Sequence, residues 1–390
     1  MPWRSSCATD QIKQFVTLYE RGEHTISELA ADFGISRKTA HKWLRRYADE
    51  GLEGLEARSH EAHRQPHLLP SELEEVLLRG REQYPTWGPK KLVAWAERTL
   101  NVSRFCAVST AGEVLKRHGL SVPRVRTRKS EPCHAPLTPG TRVNELWCID
   151  FKGWLRLGDR SRCDPLTITD AHSRYLLKCQ ALRSMRLEET QRVMEATFRE
   201  FGLPERIRSD NGTPFSGLGL GGLSALSLWW LKLGITPERI APGKPYQNGS
   251  HERMHLTLKQ ATAMPPAHTM AAQQRRFNDF RQEYNEERPH EALAQERPAS
   301  RYQPSPRPYP RRVPAPEYDA GAELRKVQQR GEIYWAGGTV FVGEAFRGEH
   351  LELRQLADGV HEVRFAHLVL GLLHAGARVV KPLDRSRQKS

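Results

Sequence analysis

The chain has 390 residues, and 60 Lys and Arg against 46 Asp and Glu give it a formal net charge of +14, which favours a polyanionic partner, either nucleic acid or an anionic membrane. A composition of 38% hydrophobic and 27% charged residues is ordinary for folded protein and excludes wholesale disorder. No stretch approaches the roughly 20 apolar residues of a spanning helix, and the first residues lack the apolar run of a secretory signal, so we expect a cytoplasmic protein without a membrane partner.

The first 50 residues have the pattern of three helices. Residues 10–21 form the first, Thr25 to Glu28 is a capping box that opens the second, and Ser36 caps the third. The third helix is apolar on one face, and its other face carries five basic residues: Arg37, Lys38, His41, Lys42 and Arg45. This is the layout of a helix-turn-helix whose last helix enters the DNA major groove, so we predict that these five residues contact DNA. The alternative is a three-helix scaffold with a solvated charged face.

A second helical module is predicted over residues 69–120. Ser71 is expected to cap its first helix, Gly88-Pro89 to start its second, and the third to run from Ala107 to His118. DNA binding and a purely structural role are both open for this module. Three arginines in the proline-containing linker that follows are further candidates for DNA contact: Arg124, Arg126 and Arg128.

In the C-terminal part, apolar residues recur at every second position, which is the pattern of β-strands. Asp358-Gly359 and Gly337-Gly338 each lie between short apolar runs, which is typical of β-hairpins. Four or five short strands predict a small β-barrel. A proline-rich linker, Pro304 to Pro316, precedes it.

Residues 146–210 alternate between strand and helix, which indicates an α/β domain. Asp150 interrupts an apolar strand, where a carboxylate is costly to desolvate unless a cation neutralises it. Asp210 follows another short strand. Beyond Asn248 a helix is predicted in which Glu252 and Lys259 share one face. We expect Asp150, Asp210 and Glu252 to lie together.

Four motifs of the sequence resemble those of a known family. In chain order they are LWCID with Asp150, SDNGTPF with Asp210, PYQNGSHER with Glu252, and YNEERPHEAL at 284–293. In this order they resemble the DDE transposases of bacterial insertion sequences, relatives of retroviral integrases with an RNase H-like core. In all, 41 residues separate the second acid from the third, and we expect the Gly-rich stretch among them, Ser216 to Gly222, to be a surface loop insertion that the core tolerates.

The fold class is therefore multidomain: all-α helix-turn-helix modules, an α/β RNase H-like core with a mixed five-stranded sheet, and a small all-β barrel. The predicted domains are a helix-turn-helix domain at 1–60, a second helix-turn-helix or winged-helix-like module at 61–122, a basic linker at 123–143, the integrase catalytic core at 144–300, a proline-rich linker at 301–320, the small barrel at 321–380, and a basic tail at 381–390.

The resemblance implies a mechanism. Asp150, Asp210 and Glu252 would be catalytic and would hold two Mg²⁺ ions, for which Mn²⁺ would substitute, during phosphoryl transfer. Hydrolysis frees the 3′ end of the element, and that 3′-OH then attacks target DNA. Lys244 and Asn248 join Lys259 as expected DNA contacts. The partners are double-stranded element ends and target DNA, bound by a homo-oligomer because two ends must meet, in the nucleoid of a bacterial cytoplasm.

Two other acids and the closing motif receive structural roles. Asp170 is expected to pair with Arg174 across a turn, and Glu238 to precede a strand. Tyr284, Asn285 and their neighbours in the closing motif are expected to pack and cap behind the active site. The alternative to an active transposase is a DNA-binding regulator with a retained but silent core, and the three intact acids favour the enzyme.

Overall fold

The computed structural model describes residues 8–56, 69–121, 139–240, 249–377 and 379–381. By its internal contacts the chain divides into two compact units, residues 1–68 and 69–390. Among the described helices, none combines the length and the apolar composition that crossing a bilayer requires. The finer domain boundaries given above stay predictions.

The first unit is a three-helix bundle, as the sequence predicts. Its helices are α1 (Ala8–Glu20), α2 (Ile26–Asp32) and α3 (Arg37–Glu50), followed by a 3₁₀ turn at Gly51–Leu55. The predicted capping box is present, because the Thr25 amide donates to Glu28 Oε2 (2.8 Å) and the Glu28 amide donates to Thr25 Oγ1 (3.3 Å). The Thr39 amide donates to Ser36 Oγ (3.1 Å), which caps α3. A small buried core holds the bundle together, formed by Ile12, Phe15, Val16, Leu29, Ala30, Ile35, Ala40 and Leu55.

The second unit begins with the predicted helical module. Its helices are α4 (Ser71–Gln83), α5 (Pro89–Thr99) and α6 (Val108–Arg117). Gly88 and Pro89 start α5 as expected, but the prediction that Ser71 caps α4 is wrong. The N-cap is Pro70, whose carbonyl accepts the first helical hydrogen bond from the Glu74 amide (2.9 Å), so the helix starts one residue earlier.

A mixed sheet forms the centre of the second unit. Its strands are β1 (Leu146–Phe151), β2 (Leu155–Arg156), β3 (Arg162–Asp170), β4 (Leu176–Leu182), β5 (Arg206–Ser209) and β6 (Thr236–Arg239). The order is β2-β3-β1-β5-β6, with β4 also paired to β3. Strand β3 is antiparallel to β1 and β4, whereas β1, β5 and β6 are parallel. The sheet is mixed as predicted, and its sixth strand is the two-residue β2.

Four longer helices accompany this sheet: α7 (Leu187–Phe201), α8 (Ala225–Lys232), α9 (Gly249–Thr262) and α10 (Met270–Gln282). Helices α7 and α8 supply Phe198 and Trp230 to the core, where they meet Trp147 of β1 and Ile207 of β5. Each of these four side chains is fully buried. Burial of such side chains from both sheet and helices is the main force that holds β1 and β5 in place.

The C-terminal part is all-β, as expected. Its strands are β7 (Glu323–Lys326), β8 (Glu332–Trp335), β9 (Gly338–Phe341), β10 (His350–Ala357), β11 (Val360–Phe365) and β12 (Leu368–His374). Both predicted hairpins form, as β8-β9 and β10-β11. Where we predicted one barrel, the described strands form a four-stranded sheet, β12-β11-β10-β7, and a separate two-stranded hairpin around a common core.

The Gly-rich insertion is more than a tolerated surface loop. The Leu220 amide donates to the carbonyl of Val342, just beyond β9 (2.8 Å), and Leu223 is buried in the core of the C-terminal strands. A Cβ on Gly219 would lie 2.8 Å from the Gly343 Cα, so only glycine permits this close backbone approach. The extra residues therefore seat the C-terminal strands on the central domain.

Candidate active site

Asp150 and Asp210 lie at the carboxyl ends of neighbouring parallel strands. Cys148 of β1 is level with Arg208 of β5; Asp150 stands two residues farther along β1, and Asp210 stands two residues after Arg208, just beyond the end of β5. Continuing this register by two residues, at a strand spacing of about 4.8 Å, brings the two acids close together, and the Asp210 charge raises the pKa of Asp150. The Gly212 amide donates to Asp210 Oδ1 (3.0 Å), which fixes that carboxylate.

Glu252 lies in the first turn of α9, on its exposed face. Leu256 and Lys259 follow one and two turns later and are also exposed, so the predicted face exists. His251 and His255 lie on the opposite face and are buried. Helix α9 thus presents one acid outward and two imidazoles inward.

Two imidazoles fasten α9 to the sheet beside Asp150. Thr167 of β3 is the strand partner of Asp150, and its hydroxyl donates to the Asp150 carbonyl (3.2 Å). The same hydroxyl oxygen lies 2.7 Å from His251 Nε2 and 2.6 Å from His255 Nε2. Because a hydroxyl has only one proton, both imidazoles must donate to it. The third acid is thereby held at a fixed position relative to the first.

The electrostatics show that the three carboxylates share one environment. Burial, together with the charges of Asp210 and Glu252, raises the pKa of Asp150 from an ordinary 3.8 to about 7, and the Phe151 amide and Lys152 oppose the shift. A carboxyl group that is crowded in this way gains from a proton or a cation. This cluster can therefore bind a positively charged species.

The two histidines are neutral supports. Burial lowers the pKa of His251 to about 3 and, together with His251 and Lys152, that of His255 to about 2. Ligand atoms of Asp150, His251 and His255 lie within 4.8 Å of one another, so a metal site of these three is conceivable. However, His251 Nδ1 is hydrogen-bonded to Thr169 Oγ1 (2.9 Å), and the Nε2 atoms of both histidines are hydrogen-bonded to Thr167 Oγ1. These three nitrogens are therefore already engaged and do not face a metal. Only His255 Nδ1, 3.8 Å from Asp150 Oδ2, faces the acids.

Sequence reasoning missed this histidine pair. The available signal was the spacing in HERMH, two histidines four residues apart on the inner face of a helix, with the acid between them. Their partners Thr167 and Thr169 were not predictable without the register of β3.

The structure also places the other acids that could compete for the site. Asp170 is buried and accepts from the Ser173 hydroxyl (2.6 Å) and amide (2.7 Å) and from the Asn144 amide (2.8 Å). Its role is structural, and the expected pairing with Arg174 across the turn is made by the backbone, where the Arg174 amide donates to the Asp170 carbonyl (3.0 Å). Glu238 lies within β6, not before it, and pairs with Arg208 (2.9 Å).

The closing motif packs behind the sheet, and it does so in a specific way. Asn285 bonds both backbone groups of Leu176 on the edge strand β4, accepting from its amide (2.8 Å) and donating to its carbonyl (3.0 Å). Trp87 of the second helical module donates to Glu283 (3.2 Å), and Tyr84 donates to Glu287. The motif therefore seals a sheet edge and fastens the second module to the central domain.

The predicted DNA contacts fall into two groups. On α3, the five predicted basic side chains are all exposed, as is Lys259 on α9. The others lie outside the described residues: Arg124, Arg126, Arg128, Lys244 and Asn248.

Comparisons with known proteins identify domains along most of the chain. Models of homeodomain-like domains match residues 10–56 and 39–115, and models of the integrase core domain match residues 140–245 and 233–298. The C-terminal domain of IS481 family transposases matches residues 322–374.

Two similar proteins come from insertion elements. An IS407 uncharacterized 31.7 kDa protein of Burkholderia multivorans is 30% identical over 182 residues, which cover 45% of this chain and 61% of that protein. The chain thus spans about three fifths of that relative's length. An IS476 uncharacterized 39.2 kDa protein of Xanthomonas euvesicatoria is 25% identical over 306 residues, 71% of this chain and 84% of the other.

Similar solved structures are viral integrases. The HTLV-2 integrase catalytic core domain in complex with magnesium is 13% identical, covers 42% of this chain and 99% of its own, and has a TM-score of 0.34. A chain of the simian T-cell lymphotropic virus intasome is 14% identical, covers 75% of this chain and 95% of its own, and has a TM-score of 0.37. At these values the likeness carries no argument about function.

Proposed function

We propose that this chain, which belongs to the DDE transposases of bacterial insertion sequences, binds the DNA ends of its element and catalyses phosphoryl transfer on them. Hydrolysis would free a 3′ end, and the resulting 3′-OH would attack target DNA. The observation that carries the proposal is that Asp150, at the end of β1, lies close enough to Asp210, just after the parallel strand β5, and to Glu252 of α9 for both charges to raise its pKa.

The three carboxylates are suitable ligands for a divalent metal ion. Asp150, Asp210 and Glu252 would hold Mg²⁺, or Mn²⁺ in its place, because hard oxygen ligands suit these ions and because the raised pKa of Asp150 marks a carboxylate in need of positive charge. When bound, a pair of such ions activates the attacking oxygen and stabilises the charge on the leaving 3′ oxygen. The protein's own part is to position these groups.

Several residues of this chain serve that positioning. His251 and His255 hold α9 against β3, which keeps Glu252 near Asp150. Gly212 fixes Asp210 through its amide, and a Cβ at this position would lie only 3.1 Å from the Asp210 carboxylate. Glycine here therefore leaves the carboxylate accessible. Lys259, exposed two turns beyond Glu252, would meet a phosphate of the bound strand.

The DNA would be held by separate parts of the chain. The basic face of α3 would enter the major groove of an element end, in the manner of a recognition helix. The linker arginines and the loop residues Lys244 and Asn248 would contact the backbone nearer the acids. Because two ends must be joined in one event, we propose a homo-oligomer on DNA.

A strand-transfer assay tests the proposed function. The full chain is incubated with Mg²⁺, a target plasmid and element-end duplexes that already carry the processed 3′ end, either as 3′-OH or as 3′-dideoxy. We expect joined products only from the 3′-OH duplex, since that oxygen is the attacking group. Binding of the ends without any joining would contradict the enzyme and would support the alternative, a DNA-binding regulator with a silent core.

A further inference from the structure

An exposed tryptophan lies just beyond the first acid. Trp154, on the connection between β1 and β2, is 54% exposed, which is unusual for so large an aromatic side chain. It follows Asp150 by four residues, so their Cα atoms are at most about 14 Å apart. Phosphates of one strand of B-DNA are spaced by about 3.4 Å along the axis, so this distance is at most about four nucleotides.

Two guanidinium groups border the Trp154 ring. The Arg156 and Arg162 guanidinium carbons lie 5.9 and 5.8 Å from its centroid. Arg162 is held in place by two hydrogen bonds to the fully buried Asp164, at 2.7 and 2.8 Å. The ring thus has a pre-arranged cationic border, and about half of its surface is open to solvent.

The surrounding segment is strongly basic. Residues 152–164 contain four cations, Lys152, Arg156, Arg160 and Arg162, and two carboxylates: Asp164, which is paired with Arg162, and Asp159. The Asp159 carboxylate is engaged by Ser161, whose amide (2.9 Å) and hydroxyl (2.6 Å) both donate to it. The segment's net charge is therefore +2. A polyanion is therefore the complementary partner for this surface.

The segment is also anchored. The Lys152 amide donates to the Pro165 carbonyl (3.0 Å), and Leu155 and Arg156 pair with β3 as strand β2. Trp154 lies between these two attachments, so both sides of its position are fixed to the sheet. An anchored aromatic ring can accept a stacking partner at little cost in conformational entropy.

We propose that Trp154 is a stacking platform for an unpaired base of the DNA strand that enters the three-carboxylate site, with Arg156 contacting a flanking phosphate. Both faces of a paired base inside a duplex are covered by its neighbours, so only a base at a frayed or cleaved end offers a free face. Base-aromatic stacking beside cations is the usual way in which proteins hold single strands. This inference rests on the proposed function, because it takes DNA as the substrate.

The test measures binding without cleavage. The full chain in EDTA is titrated with two fluorescein-labelled duplexes of the same arbitrary sequence, one blunt and one with a short single-stranded 3′ overhang that carries 2-aminopurine. We expect Trp154→Ala to weaken binding of the overhang duplex about tenfold, to leave blunt binding unchanged, and to abolish quenching of 2-aminopurine. Trp154→Phe should retain most of the affinity and the quenching. Arg156→Ala should lower the salt slope by about 0.7 for its one phosphate.

A matched control is Tyr334→Ala, which removes another exposed aromatic ring (65% exposed) on the β8-β9 hairpin and should change nothing. The inference is overturned if Trp154→Ala binds the overhang as the wild type does, if it loses blunt binding equally, or if Trp154→Phe loses as much as Trp154→Ala. Strand transfer that persists beside any of these results would leave the proposed function standing. If Trp154 stacks on the overhang base as expected but the protein joins no DNA, the proposed enzyme function is contradicted and the stacking inference stands.

Discussion

Replacing Asp150 by Asn should make the metal-free protein more stable at alkaline pH, although it should abolish activity. Asp150 is a largely buried carboxylate, its side chain 21% exposed, that lies near Asp210 and Glu252. At pH 8 it is ionised in the folded state at a cost in free energy, because burial and two like charges oppose ionisation. Asn has nearly the same shape and bears no charge, so it escapes this cost.

The magnitude follows from the shift of the Asp150 pKa. A rise from 3.8 to about 7 is about 3 units, and at about 1.36 kcal/mol per unit it corresponds to about 4 kcal/mol. Since the folded pKa lies above the unfolded one, the folded state holds its proton more tightly. This stabilisation is present below about pH 4 and is lost as the pH rises through 7. Asp150→Asn should therefore match the wild type at pH 4 and exceed it by up to about 4 kcal/mol at pH 8.

Urea unfolding of the full chain in EDTA, followed by tryptophan fluorescence at both pH values, measures this difference. Asp279→Asn, which removes an exposed carboxylate on α10, is the matched control and should change little at either pH. Added Mg²⁺ should stabilise the wild type and not Asp150→Asn. A variant that is no more stable than the wild type at pH 8, or that is equally stabilised at pH 4 and pH 8, would refute the reasoning.

Replacing Thr167 by Val removes the hydroxyl that joins both imidazoles to β3. Because these buried imidazoles then lose a hydrogen-bond partner, the free energy of unfolding measured in urea titrations should fall by about 3 kcal/mol. An unchanged urea midpoint would contradict this role of the hydroxyl. Asn285→Ala should cost about 2 kcal/mol and speed hydrogen exchange at the Leu176 amide, which it no longer protects; exchange at the wild-type rate would contradict the bond. Arg37→Ala with Lys42→Ala should weaken end binding and reduce the salt slope by about 1.8, as expected for two phosphates; a full slope would place DNA on another face.

The helical units could be predicted because their signals are local. The capping box from Thr25 to Glu28 and the Gly88-Pro89 start of α5 depend only on residues within one turn. The wrong prediction that Ser71 caps α4 also came from relying on a local signal. Serine is a favoured cap, but the fixed backbone of Pro70 starts α4 one residue earlier, and the sequence pattern does not rank the two.

The meeting of Asp150 and Asp210 could also be anticipated, since acids at the ends of parallel strands come together at one sheet edge. The histidine support could not, because it depends on which residues of β3 face α9, and only the strand register decides that. The Gly-rich insertion was misjudged for a similar reason. Its Gly219 is explained by the close backbone of Gly343, more than 100 residues away in the chain.

Cleavage of a labelled element-end duplex tests the central claim most directly. The full chain, Asp150→Asn, Asp210→Asn, Glu252→Gln and the control Asp279→Asn are compared in Mg²⁺ at equal occupancy of the DNA. The account predicts that the wild type and Asp279→Asn release the 3′ end, and that the other three variants bind the duplex but do not cut it. Cutting at the wild-type rate by any of those three would contradict the account.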